Sequence, residues 1–242
     1  MDLVRIDDYL TLLAQFLETP RDTLVGYYRE LERADGFLAR LNRAVADAPS
    51  FHGKQFQHVA EFHAYRSLLY LFTRATAPNS FVETGVLNGF SSAFILLAME
   101  HNGHGRLISI DLPSTDPEIL SQGTGELPTN RKTGWAIPDS LRGRHDLRLG
   151  PAQDLLPKAL AELGTLDVFL HDSDHSYTHM MFEMSLAWHF VRPGGWILAD
   201  NIEQNESFTD FVRATGGRKM IVSSFLRPDR TWQHGITQKP VR

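Results

Sequence analysis

LDVFLHDSDHSY, from Leu166 to Tyr177, is an apolar run that stops abruptly in a knot of ionisable side chains. Apolar residues clustered over one strand length and ending at acids read as a buried strand of a parallel sheet, delivering its carboxyl end to a site. A second run, Gly195 to Ala199, ends the same way in Asp200 and Asn201. If the two strands are neighbours, Asp172, Asp200 and Asn201 bring oxygen-bearing side chains together, a set that suits a hard divalent cation such as Mg²⁺. Acids at strand ends also serve as helix caps, and Asp174 or Ser176 could cap a helix that starts near Tyr177. Two adjacent strand ends that both finish in Asp are harder to explain by capping alone.

Working outward, strand and helix alternate from Ser80 onward. Strands are expected near 80–84, 106–111, 145–149, 166–171 and 195–200, with helices near 90–102, 153–163 and 176–191. That alternation predicts an α/β fold, a doubly wound, Rossmann-like parallel sheet with both faces covered. In the helix over 176–191, Tyr177, Met180, Met181, Met184, Ala187, Trp188 and Val191 form an apolar stripe that reads as core. A helix near 205–215 precedes two apolar runs, Met220 to Leu226 and Trp232 to Thr237, joined by Pro228 and Asp229. They read as a closing antiparallel hairpin, which brings the sheet to seven strands.

Residues 1–78 carry no strand signal and read as a helical N-terminal extension to a domain over 79–242. Leu10, Leu13 and Leu17 share a face before Pro20; Leu24, Tyr27, Tyr28 and Leu31, then Phe37, Leu38, Leu41 and Val45, repeat the helical spacing. A further helix is expected from Gln57 to Thr76, with Val59, Phe62, Arg66, Leu69 and Phe72 as its stripe. His52, His58, Glu61 and His63 fit solvated helix positions better than a compact ligand set. The connection over residues 112–144 is long and rich in Pro, Gly, Ser and Thr. Trp135 within it is either a lid over a substrate or part of a surface excursion with a small core of its own.

The 242 residues are enough for one α/β domain with an added segment. A formal charge of -5 argues against a nucleic-acid surface built on bulk positive charge. With no cysteine, disulfides, thiolate nucleophiles and zinc–thiolate sites are excluded. The start, MDLVRIDDYL, has acids where a secretion signal needs positive charge, and no apolar run approaches a membrane span, so a cytoplasmic protein is expected.

FVETGVLNGFSSAF, Phe81–Phe94, reads as a strand, a glycine turn and a helix start. Gly85 and Gly89 allow a tight turn and close approach to a ligand, and the helix start offers unpaired N–H groups. The G-x-x-x-G spacing lacks the middle glycine of the dinucleotide fingerprint, and Glu83 would repel a pyrophosphate; an acid there favours a cationic centre or amino group. Asp111, ending the second strand, stands where an acid accepts from ribose hydroxyls.

Glu83, Gly85, Gly89 and Asp111 resemble the cofactor motifs of class I S-adenosylmethionine-dependent methyltransferases, from about Ser80 to the C-terminus. Residues 149–160 are similar to the adenine-side segment of the catechol O-methyltransferase group, which transfers to Ala152 and Gln153. HDSDHSY followed by ADN resembles the metal motif of that group and of sugar O-methyltransferases of macrolide and aminocoumarin biosynthesis. The resemblance implies S-adenosylmethionine held by Glu83, Gly85, Gly89, Ser91, Asp111, Ala152 and Gln153. It also implies Mg²⁺ or Mn²⁺ on Asp172, Asp200 and Asn201. It places the base at His175 or, as in an aminocoumarin-sugar enzyme type, at Asp174; His175 is preferred because imidazole titrates near neutrality.

The sequence departs from the family in its long helical N-terminus, in His171 where an apolar residue is usual, and in Asn201 where several relatives have Asp. A role for His171 in orienting Asp172 is expected. The expected reaction is methylation of a hydroxyl on a small molecule with neighbouring oxygens, such as a sugar, diol or catechol. A homo-oligomer, a dimer, is expected from the apolar helical extension. A non-catalytic cofactor-binding or interaction domain, a metal-independent N-methyltransferase and a nicotinamide oxidoreductase stay open as alternatives.

Overall fold

The computed structural model describes residues 6–47, 64–113, 127, 131–227 and 230–241. Helices α1 (Ile6–Leu17), α2 (Arg21–Glu32), α3 (Asp35–Asp47) and α4 (Ala64–Thr76) precede the sheet. Then follow β1 (Ser80–Thr84), α5 (Phe90–Asn102), β2 (Arg106–Asp111), β3 (His145–Leu149), α6 (Ala152–Leu163), β4 (Leu166–His171), α7 (Tyr177–Phe190) and β5 (Val191–Ala199). Helix α8 (Ser207–Thr215) and the strands β6 (Arg218–Arg227) and β7 (Arg230–Gln238) close the chain. The seven strands run in the order β3-β2-β1-β4-β5-β7-β6. The first five are parallel, and β7 pairs antiparallel with both β5 and β6. Among the described residues no helix is long and apolar enough to cross a membrane.

The pleat sorts the core into two layers, because successive strand residues face opposite sides of the sheet. Phe81, Leu107, Val168, Leu170, Trp196, Leu198 and Ile236 face α1–α5. Val82, Ile108, Ile110, Phe169, Ile197 and Ala199 face α6, α7 and α8, meeting Leu156, Met184 and Phe211. The N-terminal helices therefore share one core with the sheet: Phe16 of α1 and Phe72 of α4 both pack edge-on against Trp196 of β5, with ring centroids 5.7 and 5.5 Å away.

The structure corrects several expectations. Strand β5 begins at Val191, not at Gly195, and α7 accordingly ends at Phe190. Leu166 pairs with Val191 and Val168 with Trp196, so the residues between, including Pro193 and Gly194, bulge from the ladder; Pro-Gly-Gly reads in sequence as a break, yet a bulge accommodates it. Tyr177 is 44% exposed and leaves the apolar stripe of α7, while Glu183 is fully buried within it. Of the helix expected over 57–76, only Ala64–Thr76 falls among the described residues; His52, His58, Glu61, His63, Pro228 and Asp229 lie outside them.

Candidate active site

Asp111, Gly85, Asp172 and Asp200 stand at the carboxyl ends of β2, β1, β4 and β5. Each strand end is fixed to its neighbour by one further backbone bond: Gly85 N–H to the Ile110 carbonyl, Asp172 N–H to Thr84 and Asp200 N–H to His171, each at 2.9 Å. The order reverses between β1 and β4, so these ends flank the switch point at which open α/β sheets bind ligands.

The glycine loop is held from below and from the side. Asp111 Oδ2 accepts from the amides of Val86 (3.0 Å) and Leu87 (2.6 Å), and Oδ1 from Leu112 N–H (2.8 Å). Burial raises the Asp111 pKa, against the pull of these amides. With Oδ2 filled, Oδ1 keeps a lone pair for a hydroxyl. Glu83 lies fully buried beneath the loop, its Oε1 accepting from Ser92 Oγ and from Ser109 Oγ (2.6 Å); Ser109 Oγ also meets His145 Nε2 at 2.8 Å. Burial pushes Glu83 up to about 7, opposed by the two serine hydroxyls. Its Oε2 is buried with no hydrogen-bond partner among the described residues, an orphan that a cofactor's amino group would satisfy. Ser91 is half-buried in the first turn of α5, Ala152 half-buried at the start of α6, and Gln153 beside it exposed.

Trp135, expected as a lid or a surface residue, is tied to the same loop. Its Nε1–H donates to Asn88 Oδ1 (2.7 Å), while Gly134 N–H and Ala136 N–H donate to the carbonyls of Leu87 (2.7 Å) and Asn88 (3.0 Å). Gly89, at φ +85°, admits this segment: a Cβ there would stand 2.7 Å from Ile137 Cγ1 and 2.9 Å from Gly134 Cα.

The acids divide by the pleat. His171 lies on the α7 side, and Asp172 and Asp200, one residue beyond the pair His171–Ala199, lie toward α4. Asp172 and Asp200 share a hydrogen bond; burial first, then the facing Asp200, push Asp172 well above the usual carboxylate range. Burial acts on Asp200 too, but His234, which pairs with Asp200 Oδ1, and the bond from Asp172 hold it low. Arg66 from α4 is lowered to about 10 by burial, with both acids pulling the other way. Asn201 adopts φ 52°, and its N–H donates to Asp200 Oδ1 at 2.8 Å. With the Asn201 amide turned so that donors meet acceptors, its nitrogen bonds Asp200 Oδ2 (2.9 Å) and its oxygen accepts from Gln204 (3.1 Å).

Beneath the pair, Glu183 accepts from Thr84 Oγ1 (2.6 Å), His171 Nδ1 (2.5 Å), Ser173 Oγ (3.0 Å) and His179 Nε2 (2.9 Å). Of the two base candidates, His175 is half-buried, its ring edge-on to His171 at 5.4 Å, and burial followed by His171 lowers its pKa. Asp174 is exposed and accepts from Ser176 N–H (2.9 Å) and Oγ (3.2 Å), at the turn where Ser176 caps α7. Arg66, His234 and Glu183, with Tyr65 stacked on His234, were not expected here.

Among the described residues no group of three or more His, Cys, Asp or Glu side chains converges to hold a metal ion. The facing carboxyls of Asp172 and Asp200 nonetheless fit a hard cation.

This sheet order and these strand-end residues define the class I methyltransferase fold. The chain belongs to the methyltransferase domain family, whose model matches residues 82–202. No curated protein matches it in sequence. Its fold is similar to that of an O-methyltransferase of Streptomyces achromogenes involved in tomaymycin synthesis, solved in complex with S-adenosylmethionine (15% identity, TM-score 0.60, 90% of this chain and 96% of that one). It is also similar to an O-methyltransferase of Bacillus cereus in complex with S-adenosylhomocysteine (14% identity, TM-score 0.54, 89% and 100%).

Proposed function

We propose that the protein transfers a methyl group from S-adenosylmethionine to a hydroxyl of a small molecule with neighbouring oxygens, a sugar, diol or catechol, with Mg²⁺ or Mn²⁺ in the site. The observation that carries this reading is the facing Asp172–Asp200 pair, one strand away from the glycine loop. Glu83 Oε2 and the amides at the start of α5 would receive the amino acid part of the cofactor, Ser91 beside them. Asp111 Oδ1 would take a ribose hydroxyl, and Ala152 with Gln153 the adenine. Asp172 and Asp200 would hold the cation, with Asn201 steadying Asp200. The cation supplies a lowered pKa at the acceptor hydroxyl. His175, neutral near pH 7 because burial and His171 depress its pKa, takes the hydroxyl's proton. Asp174, committed to Ser176, serves the turn into α7.

A metal-independent methyltransferase is the second reading, favoured by Arg66, whose guanidinium is within electrostatic reach of both acids. Calorimetric titration with S-adenosylhomocysteine, then with Mg²⁺ or Mn²⁺, on wild type and Asp172→Ala separates the two. Binding of both ligands, with only the metal lost in the variant, supports the first; cofactor binding without metal supports the second. No cofactor binding overturns both. A homodimer is part of the proposal, checked by light scattering.

A further inference from the structure

Tyr65 opens the described side chains of α4, and its ring is stacked on His234 of β7 with centroids 4.0 Å apart and planes 14° from parallel. His234 is itself paired with Asp200. The tyrosine is thus fixed by a contact between two elements far apart in sequence, next to the acid pair. Its hydroxyl is buried and has no hydrogen-bond partner among the described residues. A buried hydroxyl without a partner is costly, and one kept at a site points to a partner that arrives with a ligand. Tyr9 gives a contrast: its hydroxyl is also buried without a partner among the described residues, but burial alone acts on it. Tyr65 lies within electrostatic reach of Asp172, Asp200, Glu83 and Arg66.

We infer that Tyr65 Oη donates a hydrogen bond to an oxygen of the methyl acceptor beside the Asp172–Asp200 pair, so that the helical segment before the sheet, not the sheet itself, supplies this part of acceptor recognition. The inference rests on the methyltransferase reading and assigns the acceptor's second oxygen to Tyr65. The hydroxyl acts as a donor and not as a base: burial, then Asp172 and Asp200, hold its pKa well above the ordinary tyrosine value, so it keeps its proton at any working pH. Stacking on His234 leaves the ring no freedom to swing the hydroxyl away, which is the pre-organisation that a binding group needs.

Tyr65→Phe keeps the stacked ring and deletes only the hydroxyl; Tyr9→Phe is the control. In the ligand-free protein the melting temperature of Tyr65→Phe should equal or exceed that of wild type. With S-adenosylhomocysteine bound, the dissociation constant for 4-nitrocatechol, followed by its absorbance, should rise about tenfold in Tyr65→Phe and stay unchanged in Tyr9→Phe. A lower melting temperature in Tyr65→Phe overturns the inference, because the hydroxyl then has a structural partner. Equal affinity of wild type and Tyr65→Phe for 4-nitrocatechol overturns it too, as does a wild type that binds S-adenosylhomocysteine but not 4-nitrocatechol. A wild type that fails to bind S-adenosylhomocysteine overturns the methyltransferase reading underneath.

Discussion

Gly85 is pressed against the backbone of Asp172: a Cβ at residue 85 would stand 1.8 Å from the Asp172 carbonyl oxygen and 2.4 Å from its carbonyl carbon. The glycine at the head of the cofactor loop and the first acid of the proposed cation site are therefore one packed unit. Gly85 also has φ +86°, where an L side chain is strained. Gly85→Ala should destabilise the protein by roughly 2–4 kcal/mol, since backbone, not a flexible side chain, must give way. Urea denaturation measures that loss, and calorimetry with S-adenosylhomocysteine should show binding weakened along with it. A variant as stable as wild type would mean that the two strand ends are free to part.

Glu83 carries a pH dependence whose direction is set by burial. Its folded pKa is raised to about 7 from 4.5, so in that window the folded state holds a proton that the unfolded state has released. Stability from this group is full below pH 4.5 and is lost as pH rises through 7. Glu83→Gln keeps the shape and removes the titration. The variant's melting temperature should therefore gain on wild type between pH 5 and pH 8. An equal difference at both pH values would show that Glu83 does not titrate there.

Asp172 and Asp200 face each other in a buried place, an arrangement that favours ligand over stability. Asp172→Asn places a donor against Asp200 and removes the carboxylate charge that would repel it. At pH 8 the ligand-free variant should be as stable as wild type or up to about 1–2 kcal/mol more stable. Millimolar Mg²⁺ should raise the melting temperature of wild type and not of the variant. A destabilised Asp172→Asn, measured by thermal unfolding, would show instead that the acid pair is structural.

Strands β1, β2, β4 and the second half of β5 could be read from the sequence because each carries a short apolar run stopped by a turn residue or an acid, and that pattern is local. Asp172 and Asp200 were legible for the same reason. Arg66 was visible only as a member of a helical stripe; nothing local says that α4 crosses the sheet face and presents that turn to the strand ends. His234 reaches Asp200 through the antiparallel register in which Ala199 pairs with Gly235, a tertiary fact. It did leave a signal, as a polar residue on the same face as Ile236, at a position that alternation assigns to the core. Glu183 left a similar one, a charge inside a methionine-rich stripe. The length of the connection left Trp135 open as a lid or as part of a surface excursion, whereas its bond to Asn88 depends on how that connection folds back on the loop.

Glu183 should prove the most sensitive of these buried groups. It is 0% exposed and accepts four hydrogen bonds, from Thr84 on β1, His171 on β4, Ser173 beyond it and His179 on α7. Burial alone would raise its pKa, but the bonds and charges of His171 and His179 outweigh burial and lower it to about 2. A carboxyl depressed in this way contributes stability that is present above pH 4.5 and lost as pH falls toward 2. Glu183→Gln replaces one acceptor oxygen with a donor, leaving a histidine N–H or a hydroxyl facing another donor in a dry interior. The expected cost is roughly 2–4 kcal/mol at pH 7, narrowing as pH drops below 4.5, where wild type loses the same contribution. Urea denaturation at pH 7 and pH 4 reads both arms. Because Ser173 and His171 bracket Asp172, the variant should also bind Mg²⁺ more weakly; full stability with intact binding would mean that the strand end needs no support from α7.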